Sequence, residues 1–447
     1  MEATKVEKQP RGLYLLFGVE MWERFSFYGM RAFLALFLAD TVAGFGWTQS
    51  NASKLYGIYN GLCYLTPLLG GLLADRVFGT KRAVIIGSFL IAAGHFTLAL
   101  PSHTTFFAGL VLIIFGTGFH KPIISTMVGQ LYREHDPRRD GGFTIYYMGV
   151  NVGAFLGPIV CGYFAETKGF GWHWGFACAG VGMVLGTALY LALMGKYLKG
   201  IGDPPVRRTA AARAAAPPVR LTAEQKEQVA AIAIFAFFNI FFWAAYEQAG
   251  SSMNFFARDN TDHSLLGLIE FRTSWFQSVN PLGIILLAPV FARLWTVLGS
   301  RGREPTTPVK FAFGLLFVAA GFVLLVIAAR LSAGGARVSP LWLMGAYVLH
   351  ACGELCLSPV GLSMVTKLAP DRYQAFLMGF WWSSFFVAEV TAGLVASTTK
   401  KVAEGQLFHL LGGKADFFLI FVVVPTAMAL LLFAVSRKLQ KLTHGRA

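Results

Sequence analysis

Charged residues are scarce in this chain, because Asp, Glu, Lys and Arg together make up only 14% of its 447 residues. Hydrophobic residues make up 55%, and Phe alone occurs 41 times. Soluble domains carry about 25% charged residues. Stretches of about 20 apolar residues recur along the chain, and each is long enough to cross a bilayer as a helix. This composition excludes an ordinary soluble protein and indicates a membrane protein with many crossings.

Cysteine is also rare, and its placement argues against both disulfides and metal sites. All the cysteines fall within the apolar segments: Cys63, Cys161, Cys178, Cys352 and Cys356. We therefore expect buried free thiols. Cys352 and Cys356 lack the further ligands that a metal site needs. We expect no metal and no cofactor.

We expect no cleavable signal peptide at the start of the chain. The first residues, "MEATKVEKQPRG", are polar, and the apolar segment that follows is too long and too charged for a signal peptide. We therefore interpret that segment as a retained first membrane helix.

The apolar segments predict twelve membrane spans. They lie near residues 13–39, 55–74, 83–100, 104–130, 143–165, 173–195, 229–256, 268–292, 311–329, 340–363, 374–397 and 415–436. Twelve crossings put both termini on one side, and that side holds most of the Lys and Arg. The positive-inside rule then predicts cytoplasmic termini. The net charge of +15 is thus a topology signal, and we expect no nucleic-acid partner.

A basic stretch rich in Pro and Ala divides the spans into six and six. We predict an N-terminal six-helix bundle at 1–195, a cytoplasmic linker at 196–228 and a C-terminal six-helix bundle at 229–447. The fold class is therefore an all-α membrane protein with a duplicated bundle.

The fourth and tenth spans correspond to each other and are both interrupted by proline. Lys121 precedes Pro122 in "GTGFHKPIIS", and Glu354 precedes Pro359 in "HACGELCLSPVG". At about 1.5 Å per residue, Lys121 lies about 25 Å and Glu354 about 21 Å from the outer start of its span. Proline-interrupted spans at matched positions indicate the central site of a transporter. A pair between this cation and this anion would link the two halves.

The first span carries a charged stripe. At about 100° per residue, one face within roughly 100° of arc holds Glu20, Glu23, Arg24, Phe27 and Arg31, with Tyr28 just beyond. A charge at the bilayer centre costs about 2.5–3.5 kcal/mol on insertion scales, so the stripe is expected to face a water-filled cavity. The alternative is a structural ion-pair network. Unlike charges at one depth in both halves favour a proton-operated switch instead.

These residues resemble a known family. "EMWERFSFYGMR" is similar to the ExxER signature of the proton-coupled oligopeptide transporters (POT or PTR family) of the major facilitator superfamily. Further similar motifs follow in order: "GGLLADRVFGTKR", "GTGFHKP", "FTIYYMGVNVGAF", "FFWAAYEQAGS", "SVNPLGIILLAPVF", "GELCLSPVG" and, more weakly, "LMGFWWSS". The resemblance covers essentially the whole chain. It implies the major facilitator fold, in which two six-helix bundles are related by pseudo-two-fold symmetry.

The resemblance also implies an activity, which is proton-coupled symport of di- and tripeptides into the cell by alternating access. It implies that the proton-coupling residues are Glu20, Glu23, Arg24, Lys121, Glu354 and Glu247. Arg31, Lys121 and Arg24 would face the peptide carboxylate, and Asn151, Asn280 and Glu354 its amino terminus. The pockets for peptide side chains would be lined by Tyr28, Tyr64, Tyr147, Trp243 and Trp381, with Ser358 beside Glu354.

Several residues depart from the family pattern. Phe27 stands where the signature usually has a tyrosine, and Tyr246 stands where many bacterial members have an acid. Glu247 is then either a second protonation site or one partner of a gate ion pair. Glu389 is an extra acid, for which an interhelical hydrogen bond is favoured over a coupling role. The histidines within spans, His95, His120 and His350, are interpreted as structural.

Three alternatives to peptide symport fit the sequence less well. Plant relatives carry nitrate and other small anions, but the full ExxER set with Glu354 and two asparagines favours peptides. A membrane-embedded enzyme would need catalytic groups near a loop-accessible face, so we expect no enzyme. A passive channel fits poorly with charges that can pair across two halves. We further expect a monomer in the lipid bilayer of a bacterial inner (plasma) membrane.

Overall fold

The computed structural model describes residues 8–74, 77, 79–133, 136, 138–202, 221–265, 267–370 and 373–444. Its helices are α1 (Arg11–Ala39), α2 (Gln49–Leu73), α3 (Thr80–Leu98), α4 (His103–Gln130), α5 (Arg139–Glu166), α6 (Trp172–Tyr197), α7 (Ala223–Tyr246), α8 (Ser252–Asn260), α9 (Val279–Ser300), α10 (Thr307–Leu331), α11 (Pro340–Leu368), α12 (Gln374–Ala396), α13 (Thr399–Ala403) and α14 (Lys414–Leu442). A two-stranded antiparallel hairpin joins β1 (Ser264–Leu265) to β2 (Ile269–Glu270). The fold is thus nearly all helical, as the sequence predicts.

Within the described part of the chain, ten helical segments are long and apolar enough to cross a membrane. These segments run from α3 to α14, with α7 and α8 counted as one and α13 left out. The helices α1 and α2 are 29 and 25 residues long but fall outside that group of ten. In α1, four charged residues interrupt the apolar sequence that follows Arg11: Glu20, Glu23, Arg24 and Arg31.

By the contacts between Cα atoms, the chain divides into two compact units. Unit 1 comprises Met1–Met30 and Thr66–Ala210, and unit 2 comprises Arg31–Leu65 and Ala211–Ala447. The boundary between the units therefore falls inside α1 and inside α2. The middle of the predicted linker and residues 75, 76 and 78 of the "GGLLADRVFGTKR" motif lie outside the described residues.

In unit 1, α3 packs against α4 and α6, and α5 packs against α6 and the first part of α1. The contact with α1 depends on glycine. A Cβ atom added to Gly153 of α5 would lie only 2.2 Å from the carbonyl oxygen of Met21. Close backbone approach through small residues is the usual way in which membrane helices associate. This close approach holds the part of α1 around Met21 and Arg24 against α5.

In unit 2, α10 packs against α14 and α11, and α7 packs against α12. Buried aromatic residues fill this core, including Phe235, Phe311 and Phe322. The α2 part of this unit approaches α12 through two glycines, because a Cβ atom on Gly57 would lie 2.7 Å from the Cα atom of Gly393. This close approach of α2 to α12 brings polar side chains of the two helices near one another.

The seventh predicted span, 229–256, is not one continuous helix. A 3₁₀ turn, Glu247–Gly250, follows α7, and α8 begins at Ser252. A Cβ atom on Gly250 would lie 1.7 Å from the hydroxyl oxygen of Tyr56, so only glycine allows this approach. The break places Glu247 at the end of α7, facing the α1 and α2 parts of unit 2.

The predicted start of the eighth span, at residue 268, is wrong. Residues 268–278 form the end of the hairpin and a 3₁₀ turn (Thr273–Ser278), and the α-helix begins at Val279. Phe271 and Phe276 in this segment nevertheless pack together and into the core of unit 2. The apolar residues here are buried, but the segment that carries them is not an α-helix.

The five cysteines are free thiols, as expected. Cys63, Cys161 and Cys356 are buried, whereas Cys178 and Cys352 are half-buried.

Candidate functional site

The first-helix cluster, formed by Glu20, Glu23 and Arg24, lies in unit 1. Arg24 Nε is 2.7 Å from Glu20 Oε1 and 2.8 Å from Glu23 Oε2. All three side chains are at most 5% exposed. Two carboxylates therefore share one guanidinium away from bulk water. Removing one partner of such a buried pair costs about 3–5 kcal/mol, because it leaves an uncompensated charge.

Two further residues border this cluster. One nitrogen of His120 and one carboxylate oxygen each of Glu20 and Glu23 all lie within 4.8 Å of one another. The Tyr146 hydroxyl also interacts with Glu20. The geometry would suit three metal ligands, but the Arg24 guanidinium already supplies the positive charge between the carboxylates. We therefore describe the group as an ion-pair cluster.

Lys121 lies next to this cluster, half-buried on α4. Its ammonium nitrogen is 5.9 Å from the centre of the Phe27 ring, and the Arg24 guanidinium is also 5.9 Å from that ring. Phe27 thus presents its ring to two cations, which are attracted to the face of an aromatic ring. This contact gives a physical role to the residue that departs from the family signature.

The remaining predicted site residues of unit 1 are on α1 and α5. Tyr28 follows Phe27 and is half-buried, with the two rings packed edge to face. Asn151 is buried and donates a 2.9 Å hydrogen bond to the carbonyl oxygen of Tyr147, one turn earlier. Tyr147 itself is half-buried.

In unit 2, Arg31 lies between two acids, and we call Arg31, Glu247 and Glu389 the Arg31 cluster. Arg31 Nη2 donates a hydrogen bond to Glu247 Oε2, and Arg31 Nη1 is 3.7 Å from Glu389 Oε1. All three side chains are at most 4% exposed. The guanidinium carbon is also 5.8 Å from the centre of the Tyr56 ring. Glu247 forms an ion pair here, and both roles left open for it, a second protonation site and a gate ion pair, stay predictions.

A second polar group of unit 2 is centred on Tyr246, which is hydrogen-bonded to Glu354 Oε2 at 2.6 Å and to Asn280 Oδ1 at 2.8 Å. It therefore connects α7, α9 and α11. Asn280 and Glu354, two of the three residues predicted to meet a peptide amino terminus, are joined by the tyrosine that replaces an acid of many relatives. Ser358 lies one turn after Glu354 on α11 and is half-buried.

The predicted aromatic residues of unit 2 fall into two environments. Tyr64 stacks on Trp382 and Phe385, with ring centres 6.2 and 5.4 Å away. Trp243 contacts Phe385 and donates a 3.0 Å hydrogen bond to Asn239. These residues form one aromatic wall.

Trp381 belongs to the same hydrophobic core but packs against other residues. It is 1% exposed and packs against Phe311 and Gly361. The neighbouring Trp382, which the sequence prediction omitted, is the tryptophan that stacks on Tyr64. Helical spacing alone does not decide which of two adjacent tryptophans belongs to a wall.

Sequence reasoning also missed Tyr146 and gave His120 only a structural role. The neighbours of both residues gave a signal that the sequence interpretation did not use. Tyr146 is on α5, which the glycines hold against the charged stripe of α1, and His120 adjoins Lys121. Lys121 and Glu354 belong to different units, and their pairing stays a prediction.

Comparison with known proteins assigns the family. The model of the POT family matches residues 81–213 and 206–410. The chain is 39% identical to the peptide transporter YePEPT of Yersinia enterocolitica, over 98% of this chain and 96% of that protein. It is 33% identical to a di-/tripeptide transporter of Lactococcus lactis, over 92% and 94% of the two chains.

Solved structures agree with this assignment. The chain matches a crystal structure of peptide transporter POT in complex with sulfate, at 35% identity and a TM-score of 0.86, over 97% of this chain and 96% of that one. These relatives are integral membrane transporters and not enzymes, as the sequence predicts. The resemblance is confirmed, and the protein belongs to the POT family of transporters.

Proposed function

We propose that this protein takes up di- and tripeptides together with protons by alternating access. The names of its relatives, a peptide transporter and a di-/tripeptide transporter, support the cargo. The observation that carries the proton coupling is the first-helix cluster, in which two buried carboxylates compete for Arg24. Intramembrane ionisable groups that pair in this way are typical of proton relays.

The cluster supplies a mechanism for coupling. When a proton binds Glu20 or Glu23, that carboxyl group becomes neutral and holds Arg24 less strongly. The Arg24 guanidinium can then interact with the carboxylate of an incoming peptide. The two acids titrate as a coupled pair, so the proton belongs to the pair.

The proposed binding site matches a zwitterion. Arg24, Lys121 and Arg31 provide positive charge for the peptide carboxylate, and Asn151, Asn280 and Glu354 suit its amino terminus. Arg31 is hydrogen-bonded to Glu247 in this structure, so its role toward a peptide requires that bond to open. Walls of Tyr and Trp accept varied side chains, because most of the affinity comes from backbone groups that all peptides share.

The proposal includes the layout of the chain in the membrane. Twelve spans form two six-helix bundles, 1–195 and 229–447, joined by a cytoplasmic linker at 196–228, with both termini in the cytoplasm. A monomer in a bacterial inner membrane contains the whole pathway, and no cofactor is needed. The membrane potential supplies about 2.3 kcal/mol per proton per 100 mV, which supports severalfold accumulation.

Uptake by purified protein in liposomes tests the function. Labelled dialanine uptake is measured with and without an inward proton gradient, for the wild type and for Glu23→Gln. We expect concentrative uptake that collapses with a protonophore. The variant should lose this driven uptake but keep counterflow, in which labelled and unlabelled peptides exchange without net proton movement.

The control variant is Glu270→Gln, which neutralises an acid in the exposed hairpin. It should retain driven uptake, which shows that loss of one carboxylate is not enough. Folded protein without dialanine uptake or counterflow contradicts the proposal and directs the assay to nitrate and other small anions.

A further inference from the structure

The Arg31 cluster contains one more acid than base. Arg31 contributes one positive charge, and Glu247 and Glu389 contribute two negative charges when both are ionised. The two carboxylates come from the 3₁₀ turn after α7 and from α12, and all three side chains are buried in unit 2. A net charge of −1 on these three groups is costly in a low-dielectric interior. One bound proton makes the group neutral.

The geometry decides which acid accepts that proton at the smaller cost. Glu247 accepts a charge-assisted hydrogen bond from Arg31, and a proton on Glu247 would weaken that bond. Glu389 is 3.7 Å from Arg31, beyond hydrogen-bond distance, and gains less from the guanidinium. Protonating Glu389 therefore weakens the interaction with Arg31 less than protonating Glu247 does.

Two further side chains in the described part of the chain face the cluster. Tyr56 of α2 faces Arg31 and both acids, and Tyr347 of α11 faces Arg31 and Glu247. Both are phenols, which are neutral near pH 7. They line the cluster without changing its charge.

We propose that Glu389 is a proton-binding residue of this transporter, which holds a proton while Arg31 is bonded to Glu247. In the step itself, a proton from water forms an O–H bond on a Glu389 carboxylate oxygen, and the charge of the cluster rises from −1 to 0. When the proton leaves, ionised Glu389 competes with Glu247 for Arg31. The link between the α1 and α7 parts of unit 2 then weakens, so proton release is coupled to rearrangement there. This inference rests on the proposed proton coupling.

Infrared difference spectroscopy tests it without any need for peptide transport. A protonated carboxylic acid gives a carbonyl band that an ionised carboxylate lacks, and the band is followed across a pH titration in lipid. We expect the wild type to show a titrating band that is lost in Glu389→Gln. Glu389→Asp keeps a carboxyl group, so the band should persist but move, because Asp and Glu carboxyl groups absorb at different frequencies.

Two controls locate the proton. Glu247→Asp should leave the band in place, and the exposed Glu270→Gln should leave the whole titration unchanged. A band that survives Glu389→Gln unaltered, or that moves in Glu247→Asp and not in Glu389→Asp, overturns the inference. Glu389→Asp covers the case in which the Gln variant fails to fold.

Failure here and failure of the proposed function are separable. Proton-driven dialanine uptake with an unaltered band in Glu389→Gln keeps the function and overturns the role of Glu389. A Glu389-dependent band in a protein that carries no peptide keeps the role of Glu389 in proton binding and overturns the proposed function.

Discussion

The hydroxyl oxygen of Tyr246 lies 2.6 Å from Glu354 Oε2 and 2.8 Å from Asn280 Oδ1. A hydroxyl has one hydrogen, so Tyr246 donates to only one of these oxygens. Bonds to an ionised acceptor are the stronger ones, which favours donation to Glu354. A half-turn of the Asn280 amide then lets its NH₂ group donate to Tyr246. The three residues then form one series of hydrogen bonds, which fixes the orientation of the Glu354 carboxylate.

Tyr246→Phe should therefore weaken binding of the peptide amino terminus. The variant loses a hydrogen bond to a charged group, worth about 1.5–3 kcal/mol. Part of that loss appears as lower affinity, and we expect the KM for dialanine to rise about 10-fold. Uptake of labelled dialanine in liposomes, competed with N-acetyl-dialanine, measures the effect. The acetylated peptide has no charged amino group, so its weaker competition should change little.

Tyr190→Phe is the control. The Tyr190 hydroxyl donates a 3.9 Å hydrogen bond to Met127 Sδ in the hydrophobic core of unit 1. An equal rise in KM for both variants, or an equal loss for both peptides, would assign the Tyr246 effect to general packing.

Arg24→Ala should destabilise the protein more than the loss of an exposed arginine would. It leaves Glu20 and Glu23 buried without their shared guanidinium, at a cost of about 3–5 kcal/mol. Thermal unfolding in detergent at neutral pH measures this loss. Adding Glu20→Gln and Glu23→Gln to Arg24→Ala removes the uncompensated charges and should restore most of the stability. If the triple variant is as unstable as Arg24→Ala, the loss comes from packing around the Arg24 side chain.

The sequence predicts the long helices well because their apolar runs are continuous. The predicted spans 104–130 and 374–397 match α4 and α12 to within one residue at each end. Prediction fails where apolar side chains are buried by a segment without regular α-helical hydrogen bonds, as at Phe271 and Phe276. Hydropathy measures the preference of a side chain for burial and contains no information on the backbone that delivers it.

The candidate site also has one part that the sequence predicts and one part that it does not. The stripe on α1 is local in sequence, so helical geometry places Glu20, Glu23 and Arg24 together without a tertiary structure. The Arg31 cluster is not local, because Glu247 and Glu389 are far from Arg31 along the chain. Their meeting depends on the break after α7 and on close glycine contacts, which one sequence does not reveal.

The approach of α5 to α1 predicts a sharp difference between two glycines of unit 1. Gly153→Ala places a Cβ atom 2.2 Å from the Met21 carbonyl oxygen, so α5 must move away from the charged stripe. Overpacking of this kind costs about 1–3 kcal/mol. In contrast, a Cβ atom on Gly195 of α6 meets nothing within 4 Å, and Gly195→Ala should be neutral or slightly stabilising. Thermal unfolding of both variants measures the difference, and equal midpoints would contradict this packing.

Asp136, between α4 and α5, provides a prediction about pH. It accepts hydrogen bonds from Arg138 Nη2 at 2.8 Å, from Nε at 3.0 Å and from the backbone N–H at 2.9 Å. These bonds lower the pKa of Asp136 to about 2. A carboxyl group with a lowered pKa stabilises the fold above its unfolded pKa of about 3.9, and that contribution disappears as the pH falls toward 2.

The Asp136 contact is therefore constant across the range in which transport is assayed, about pH 5–8. Asp136→Asn removes the charge without introducing a group that titrates there. We expect its pH profile of dialanine uptake to have the same shape as that of the wild type, even if its maximum rate falls. Initial rates at a fixed membrane potential measure both profiles. A changed shape would mean that this loop takes part in proton coupling, and the buried clusters would then no longer account for the whole pH response.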